Sequence, residues 1–357
     1  MTVMILALMA CGDGTPAEAP KDDHAEKGHE DKAEKKAAKA EPKHVALFGV
    51  LPDHMHKGDA PSKELVDLGR QLYYDARMSK NHDISCNSCH MLDKYGVDNL
   101  PTSPGHKGQL GGRNSPTSYN AALHIAQFWD GREPDVEAQA KGPPLNPVEM
   151  AMADGKAVER VLKSIPGYRD AFKAAFPGDE KPITYDNFGV AIGAFERGLV
   201  TKNSPFDKYL GGDVDALTAE QQAGLDLFVT TGCAACHMGA SMGGTQYQKL
   251  GAVNPYETTD MGRKEATGKD ADAMFFKVPS LRNIAETGPY FHDGKVATLD
   301  EAVKLMAWHQ LGKKLEDGDI KKISAFLKST TGEIPAKYIA KPELPASGPK
   351  TPKPDPS

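Results

Sequence analysis

The pentapeptide Cys-x-x-Cys-His occurs twice, as Cys86-Asn87-Ser88-Cys89-His90 and Cys233-Ala234-Ala235-Cys236-His237. No other feature restricts the fold of this chain so tightly. Two thiols at this spacing can form thioethers to the vinyl groups of one porphyrin, and the next residue then reaches its iron as an axial ligand. A zinc ribbon is one competing reading, but its second Cys pair usually follows within about 20 residues. Here 143 residues separate Cys89 from Cys233. A redox dithiol is the other, and it has no need of a trailing His. Only 12 of the 357 residues are His, so one after each pair is not a compositional accident. The chain reads as the carrier of two covalently bound haem c groups.

The haem motifs use four of the five Cys. The fifth ends Leu8-Met9-Ala10-Cys11 behind an apolar opening stretch, which resembles a bacterial lipobox with Cys11 as the lipidated residue. It departs from that pattern in having no Lys or Arg before the apolar run. A cleaved ordinary signal or a disordered end are the alternatives for residues 1–11. Haem c is attached outside the bacterial cytoplasm, so export to the periplasm is expected in every case. The sequence has no run of 18 apolar residues, so any membrane association rests on that lipid anchor. A net charge of −6 and the lack of a basic stripe with interleaved aromatics argue against nucleic acid as a partner.

Length suggests about two domains, one per haem motif. Residues 12–46 are rich in Ala, Lys, Glu and Asp and bury too little apolar surface to fold alone, which predicts a disordered tether. His24 and His29 within it read as tail rather than metal ligands. Residues 47–203 form the first haem domain, completed by 333–345, and residues 204–332 form the second. The Pro-rich stretch 346–357 reads as a disordered tail.

Between the tails the fold class is mainly α, two cytochrome c-like units with long loops and little β structure. Apolar spacing predicts helices over Lys63–Met78 and Thr218–Val229, each ending just before a haem motif. The second opens on a capping box, Thr218-x-x-Gln221. Gly69-x-x-Leu72-Tyr73 and Gly224-x-x-Leu227-Phe228 occupy matching places and hint at an internal repeat. Further helices are expected at Gly155–Ser164, Tyr185–Leu199, Leu299–Gln310 and Asp319–Ser329. The Gly-, Pro- and Asn-rich region Met91–Pro147 reads as long functional loops. Its Gly105-x-x-Gly108-x-x-Gly111-Gly112 has the wrong spacing for a phosphate loop.

Whether each iron has a sixth ligand separates electron transfer from catalysis. For the first haem the candidates are His106, in the Gly-rich loop Gly105–Gly108, and His124, whose apolar context suits a core or supporting residue better. For the second, Met306 lies on the helix opened by Thr298-x-x-Glu301, where ordinary core packing is the competing role. Met/His ligation raises a haem's potential and makes it a good electron acceptor.

From Leu47 to Ala340 the chain closely resembles the bacterial di-haem cytochrome c peroxidases. Beside the two haem motifs, the shared words are Gly105-His106, Arg113-Asn114-x-Pro116-Thr117, Gln127-Phe128-Trp129-Asp130-Gly131-Arg132 and Gln139-Ala140-Lys141-Gly142-Pro143. Glu149-Met150, Val278-Pro279-x-Leu281-Arg282-Asn283, Phe291-His292-Asp293-Gly294 and Glu301-Ala302-Val303-x-x-Met306 follow in order.

The resemblance implies that His90 and His106 ligate a low-potential, peroxide-reducing haem, with His106 leaving on activation. His237 and Met306 would ligate the high-potential haem, and Trp129 would lie between the two. Glu149 corresponds to the acid/base carboxylate of the peroxide pocket and Gln139 to its amide. A calcium ion is implied at Asn114 and the main chain near Thr287 and Pro289, whose oxygens suit a hard cation. His292 and Asp293 would be structural or supporting. Implied partners are hydrogen peroxide, a small electron donor such as cytochrome c or a cupredoxin, and a second copy in a homodimer. Two other readings stand beside the peroxidase: the related maturation enzyme of methylamine dehydrogenase, which has Tyr where Met306 stands, and a non-catalytic di-haem electron carrier.

Overall fold

A computed structural model describes residues 41–357. Cys11, His24, His29 and most of the expected tether lie outside the described residues. The main helices are α1 (Lys63–Tyr74), α2 (Gly155–Ser164), α3 (Pro166–Ala175), α4 (Tyr185–Glu196), α5 (Pro205–Leu210), α6 (Ala219–Thr231), α7 (Leu299–Leu311) and α8 (Asp317–Lys328). A two-stranded antiparallel sheet, β1 (Tyr247–Lys249) and β2 (Phe275–Lys277), sets Tyr247 opposite Lys277. The rest is loop and short helical turns, as the mainly α reading expects.

Two large hydrophobic cores carry the two halves, with a small third cluster of Leu51, Met55 and Val200. In the first, α1 packs on α4 and buries Leu68, Leu72 and Tyr73 against Phe188, Ile192 and Phe195. In the second, α6 packs on α8 and buries Leu225 and Phe228 against Ile320, Ile323 and Phe326. The two pairs are built alike. A Cβ placed on Gly69 would overlap the Ala191 carbonyl and crowd Phe195, and one on Gly224 would overlap the Lys322 carbonyl and crowd Phe326. Only Gly lets both helix backbones approach so closely. The repeat hinted at by the two Gly-x-x-Leu-aromatic words is therefore a repeat of packing.

Local chemistry accounts for the helix ends. Ser62, Thr184, Thr218 and Thr298 cap α1, α4, α6 and α7, each accepting from an amide three residues on. The helix expected over Lys63–Met78 breaks at Asp75, whose carboxylate binds Arg77 at 2.6 Å and caps a separate turn at Ala76–Met78. Helices α3 and α5 were not expected. Both start with a Pro at the first helical position, a start signal that apolar spacing alone does not register.

The chain returns to the first core after α8. The Tyr338 hydroxyl donates to the Phe195 carbonyl at 2.7 Å, and that of Tyr74 to the Ile339 carbonyl at 2.6 Å. Residues 346–357, expected as a free tail, are instead laid along the first half. Arg77 donates to the Ser347 hydroxyl at 2.9 Å, Lys80 to the Ser357 carbonyl oxygen at 2.8 Å, and the Asp355 amide to the Lys80 carbonyl at 3.0 Å. Pro-rich chain has less freedom to lose on docking, so a few such bonds hold it. The expected tether also stops short of 46, because Lys43 and His44 bind Asp226 at 3.1 and 2.8 Å.

The Leu281-Arg282-Asn283 word joins the halves. Arg282 is buried, paired with Asp207 at 2.7 Å, and donates to the carbonyls of Ala240 and Gly49. Asn283, in the left-handed region at φ 60°, donates to Thr201 and accepts from the Gly332 amide.

Candidate active site

Each Cys-x-x-Cys-His motif is wound into a single helical turn. The His90 amide donates to the Cys86 carbonyl at 3.0 Å, and the His237 amide to the Cys233 carbonyl at the same distance. The winding sets both thiols and the imidazole of each motif on the wall of one cavity: Cys86, Cys89 and His90 on the first, Cys233, Cys236 and His237 on the second. None of these four thiols is in a disulfide.

The imidazoles suit an iron. Burial pushes His237 down to about 4 and also lowers His90, so both are neutral at physiological pH with a lone pair to give. The Met242 carbonyl lies 3.3 Å from His237 Nδ1, which leaves Nε2 for a metal. Free thiol pairs beside neutral, half-buried imidazoles, on walls large enough for a porphyrin, fit two covalent haems.

Opposing groups differ between the cavities. Met306, on α7, lines the second together with His237. The first has Gln139 and Glu149 on its wall. Asn146 donates to Glu149 Oε1 at 2.8 Å, yet burial outweighs this bond and the pull of Arg132, so the carboxyl is raised above the ordinary range. His106 does not line the cavity, although Gly105 does. Its amide donates to the carbonyls of Val148 and Glu149, and its Nε2 lies 3.2 Å from the Ser357 oxygen.

Trp129 is on the wall of both cavities. Its indole donates to the Asn114 carbonyl at 2.9 Å. Asn114 in turn donates from its side chain to the Leu100 carbonyl at 3.0 Å, which leaves its own amide oxygen free. Asn114, Thr287 and Pro289 share the second cavity's wall. His292 is buried beside Thr258, 3.2 Å from its hydroxyl, and Asp293 accepts from the Tyr256 hydroxyl.

Three residues at these cavities were not singled out from sequence. Arg132 lies on the first cavity's wall with its guanidinium 3.4 Å from the Phe128 ring centre, close enough to Glu149 to influence its ionisation. Glu196, at the end of α4, lines the same cavity, and its carboxyl has no hydrogen-bond partner among the described residues. A lone carboxylate after the small and apolar run Gly189–Phe195 was its only signal. Lys277 and His124 line the second cavity, the former hidden in a strand of three residues.

Comparison with known proteins agrees with this geometry. Residues 63–215 match the family model described as di-haem cytochrome c peroxidase, and residues 221–331 match that of cytochrome c. The cytochrome c551 peroxidase of Pseudomonas aeruginosa is 46% identical over 316 residues, covering 87% of this chain and 90% of its own. The chain belongs to the di-haem cytochrome c peroxidase family. The cytochrome c551 peroxidase of Nitrosomonas europaea is 47% identical, covering 82% of this chain and 87% of its own. A crystal structure of a MauG-like protein associated with microbial copper homeostasis superimposes with a TM-score of 0.72 at 29% identity. It covers 82% of this chain and 97% of that one. The di-haem peroxidase family thus accounts for both haem halves and for the order in which they follow.

Proposed function

We propose that this chain reduces hydrogen peroxide to two waters, taking two electrons from a small protein donor and two protons from solvent. One observation carries the reading: two haem-sized cavities share Trp129, and among the described residues only the first has carboxylic acids on its wall, Glu149 and Glu196, together with Gln139. When bound, haem supplies the iron that accepts peroxide and the redox equivalents that cleave its O–O bond.

The protein's residues do the rest. His237 and Met306 would hold the second iron, and a His/Met pair would give it a high potential suited to receiving electrons. Trp129 carries them across the shared wall. His106 would be the releasable ligand of the first haem's iron, and the Ser357 oxygen, 3.2 Å from its Nε2, would hold the freed imidazole. Glu149, held by Asn146, moves a proton between the two peroxide oxygens, and Gln139 steadies the polarised molecule by hydrogen bonding. Asn114, Thr287 and Pro289 would hold a calcium ion, which would fix the loop behind Trp129.

Met306 on the second wall favours the peroxidase over the maturation enzyme. The protein acts in the periplasm, tethered through Cys11 and paired with a second copy. Among the described residues no helix is long and apolar enough to cross a membrane. The test is peroxide consumption with reduced cytochrome c, in calcium-loaded and pre-reduced protein. Turnover is expected. Its failure in both forms would support the plain electron carrier.

A further inference from the structure

Lys277 is buried at 7% exposure. Among the described residues its ammonium has one partner, His124 Nδ1 at 3.2 Å, and no carboxylate within 4.0 Å. A buried cation without a counter-charge costs several kcal/mol, which proteins tolerate where a partner is supplied. The wall on which it stands carries no Asp, Glu, Arg or second Lys among the described residues, so Lys277 is its lone ammonium, still mostly protonated at neutral pH although burial pushes it down to about 8. Cys233, Cys236, His237 and Met306 stand on that same wall.

His124 cannot be the counter-charge. Burial, and then the neighbouring Lys277, hold its imidazole well below the ordinary value, so it is neutral. As acceptor at Nδ1 it aims the ammonium instead. The Lys277 amide donates to the Trp129 carbonyl at 2.8 Å, which ties this point to the wall between the halves.

Haem brings two propionate carboxylates into any cavity it fills. We propose that Lys277, aimed by His124, is the docking point for a propionate of the second haem, on its Trp129 side. The proposal rests on the two-haem reading. It makes Lys277 a positioning residue with an electrostatic effect: an ammonium paired with a carboxylate removes a negative charge from the haem edge and favours the ferrous iron.

The experiment is a spectroelectrochemical titration of both haems in the holoprotein, with Lys277→Gln, Lys277→Arg and His124→Ala beside the parent. Lys277→Gln is expected to lower the second haem's potential by at least 59 mV, a tenfold shift in its ferric/ferrous ratio. Lys277→Arg retains the charge and should restore most of it, while His124→Ala should give a smaller drop of the same sign. The propionate bending mode in resonance Raman spectra should move in Lys277→Gln. Haem content is read in parallel as bound haem per chain. Haem at Cys233 and Cys236 with an unmoved potential and Raman mode would overturn the proposal alone. A shift confined to the first haem would do the same. Missing haem at those cysteines would overturn the two-haem reading with it.

Discussion

Gly69 lies against the Ala191 carbonyl so closely that α1 and α4 touch backbone to backbone. The contact aligns the helix that leads into the first haem motif. Gly69→Ala forces the helices apart, and overpacking of this kind costs about 1–3 kcal/mol. Gly224→Ala should cost as much in the second half. Gly178→Ala, with nothing within 4 Å of the added methyl, is the neutral control. Thermal unfolding of the three holoprotein variants checks the ordering, and equal melting temperatures would contradict it.

How much of this was legible in the sequence follows from the range of each interaction. The haem motifs are local, so spacing alone shows them, and Ser62 and Thr218 mark their helix starts within three residues. The Gly69 and Gly224 words were visible, but their partners Ala191 and Lys322 are about a hundred residues away. The pairing of Lys277 with His124 spans 153 positions and has no local signature. The docked 346–357 segment was missed because its composition is that of a tail; Arg77 and Lys80, which hold it, are remote in sequence.

Met306 and His237 share a cavity wall, as a ligand pair must. Met306→His should lower the second haem's potential, since a thioether favours ferrous iron more than an imidazole does. Slower electron uptake from the donor should follow. An unchanged potential would remove Met306 as a ligand.

Glu149 and Glu196 face one cavity with different surroundings. Glu149→Gln removes the proposed proton carrier and should reduce kcat by about 10²–10⁴-fold with peroxide affinity little changed. Steady-state assays separate the two parameters. An intact kcat would assign the proton to another group.

Glu196 also predicts a pH effect on stability. Burial, then repulsion from Glu137, raises its carboxyl to about 8, while Arg197 is engaged by Glu137 at 2.6 Å. The unfolded value is near 4.5. Between these values the folded protein holds a proton that the unfolded chain has lost. Its contribution is therefore fully present below about 4.5 and is lost as pH rises through about 8. Denaturant titrations at pH 5, 6.5 and 8 should show stability falling with pH, and the slope should flatten in Glu196→Gln. A slope that survives the substitution would place the titrating group elsewhere.

Trp129, like Phe128, stands on the walls of both haem motifs' cavities, and its indole is fixed to the Asn114 carbonyl. Trp129→Phe keeps an aromatic ring but loses that bond. Electron transfer between the haems should slow at least tenfold by stopped-flow absorbance, while peroxide binding to the pre-reduced first haem is unaffected. Asn114 supplies both the carbonyl that holds Trp129 and an amide oxygen that is the proposed calcium ligand. Calcium removal should therefore slow the same step by releasing the same anchor. If the two act through one contact, their effects will not add, and chelation will slow Trp129→Phe far less than the parent. Full additivity would separate the calcium site from the electron path and leave Asn114 a structural role alone.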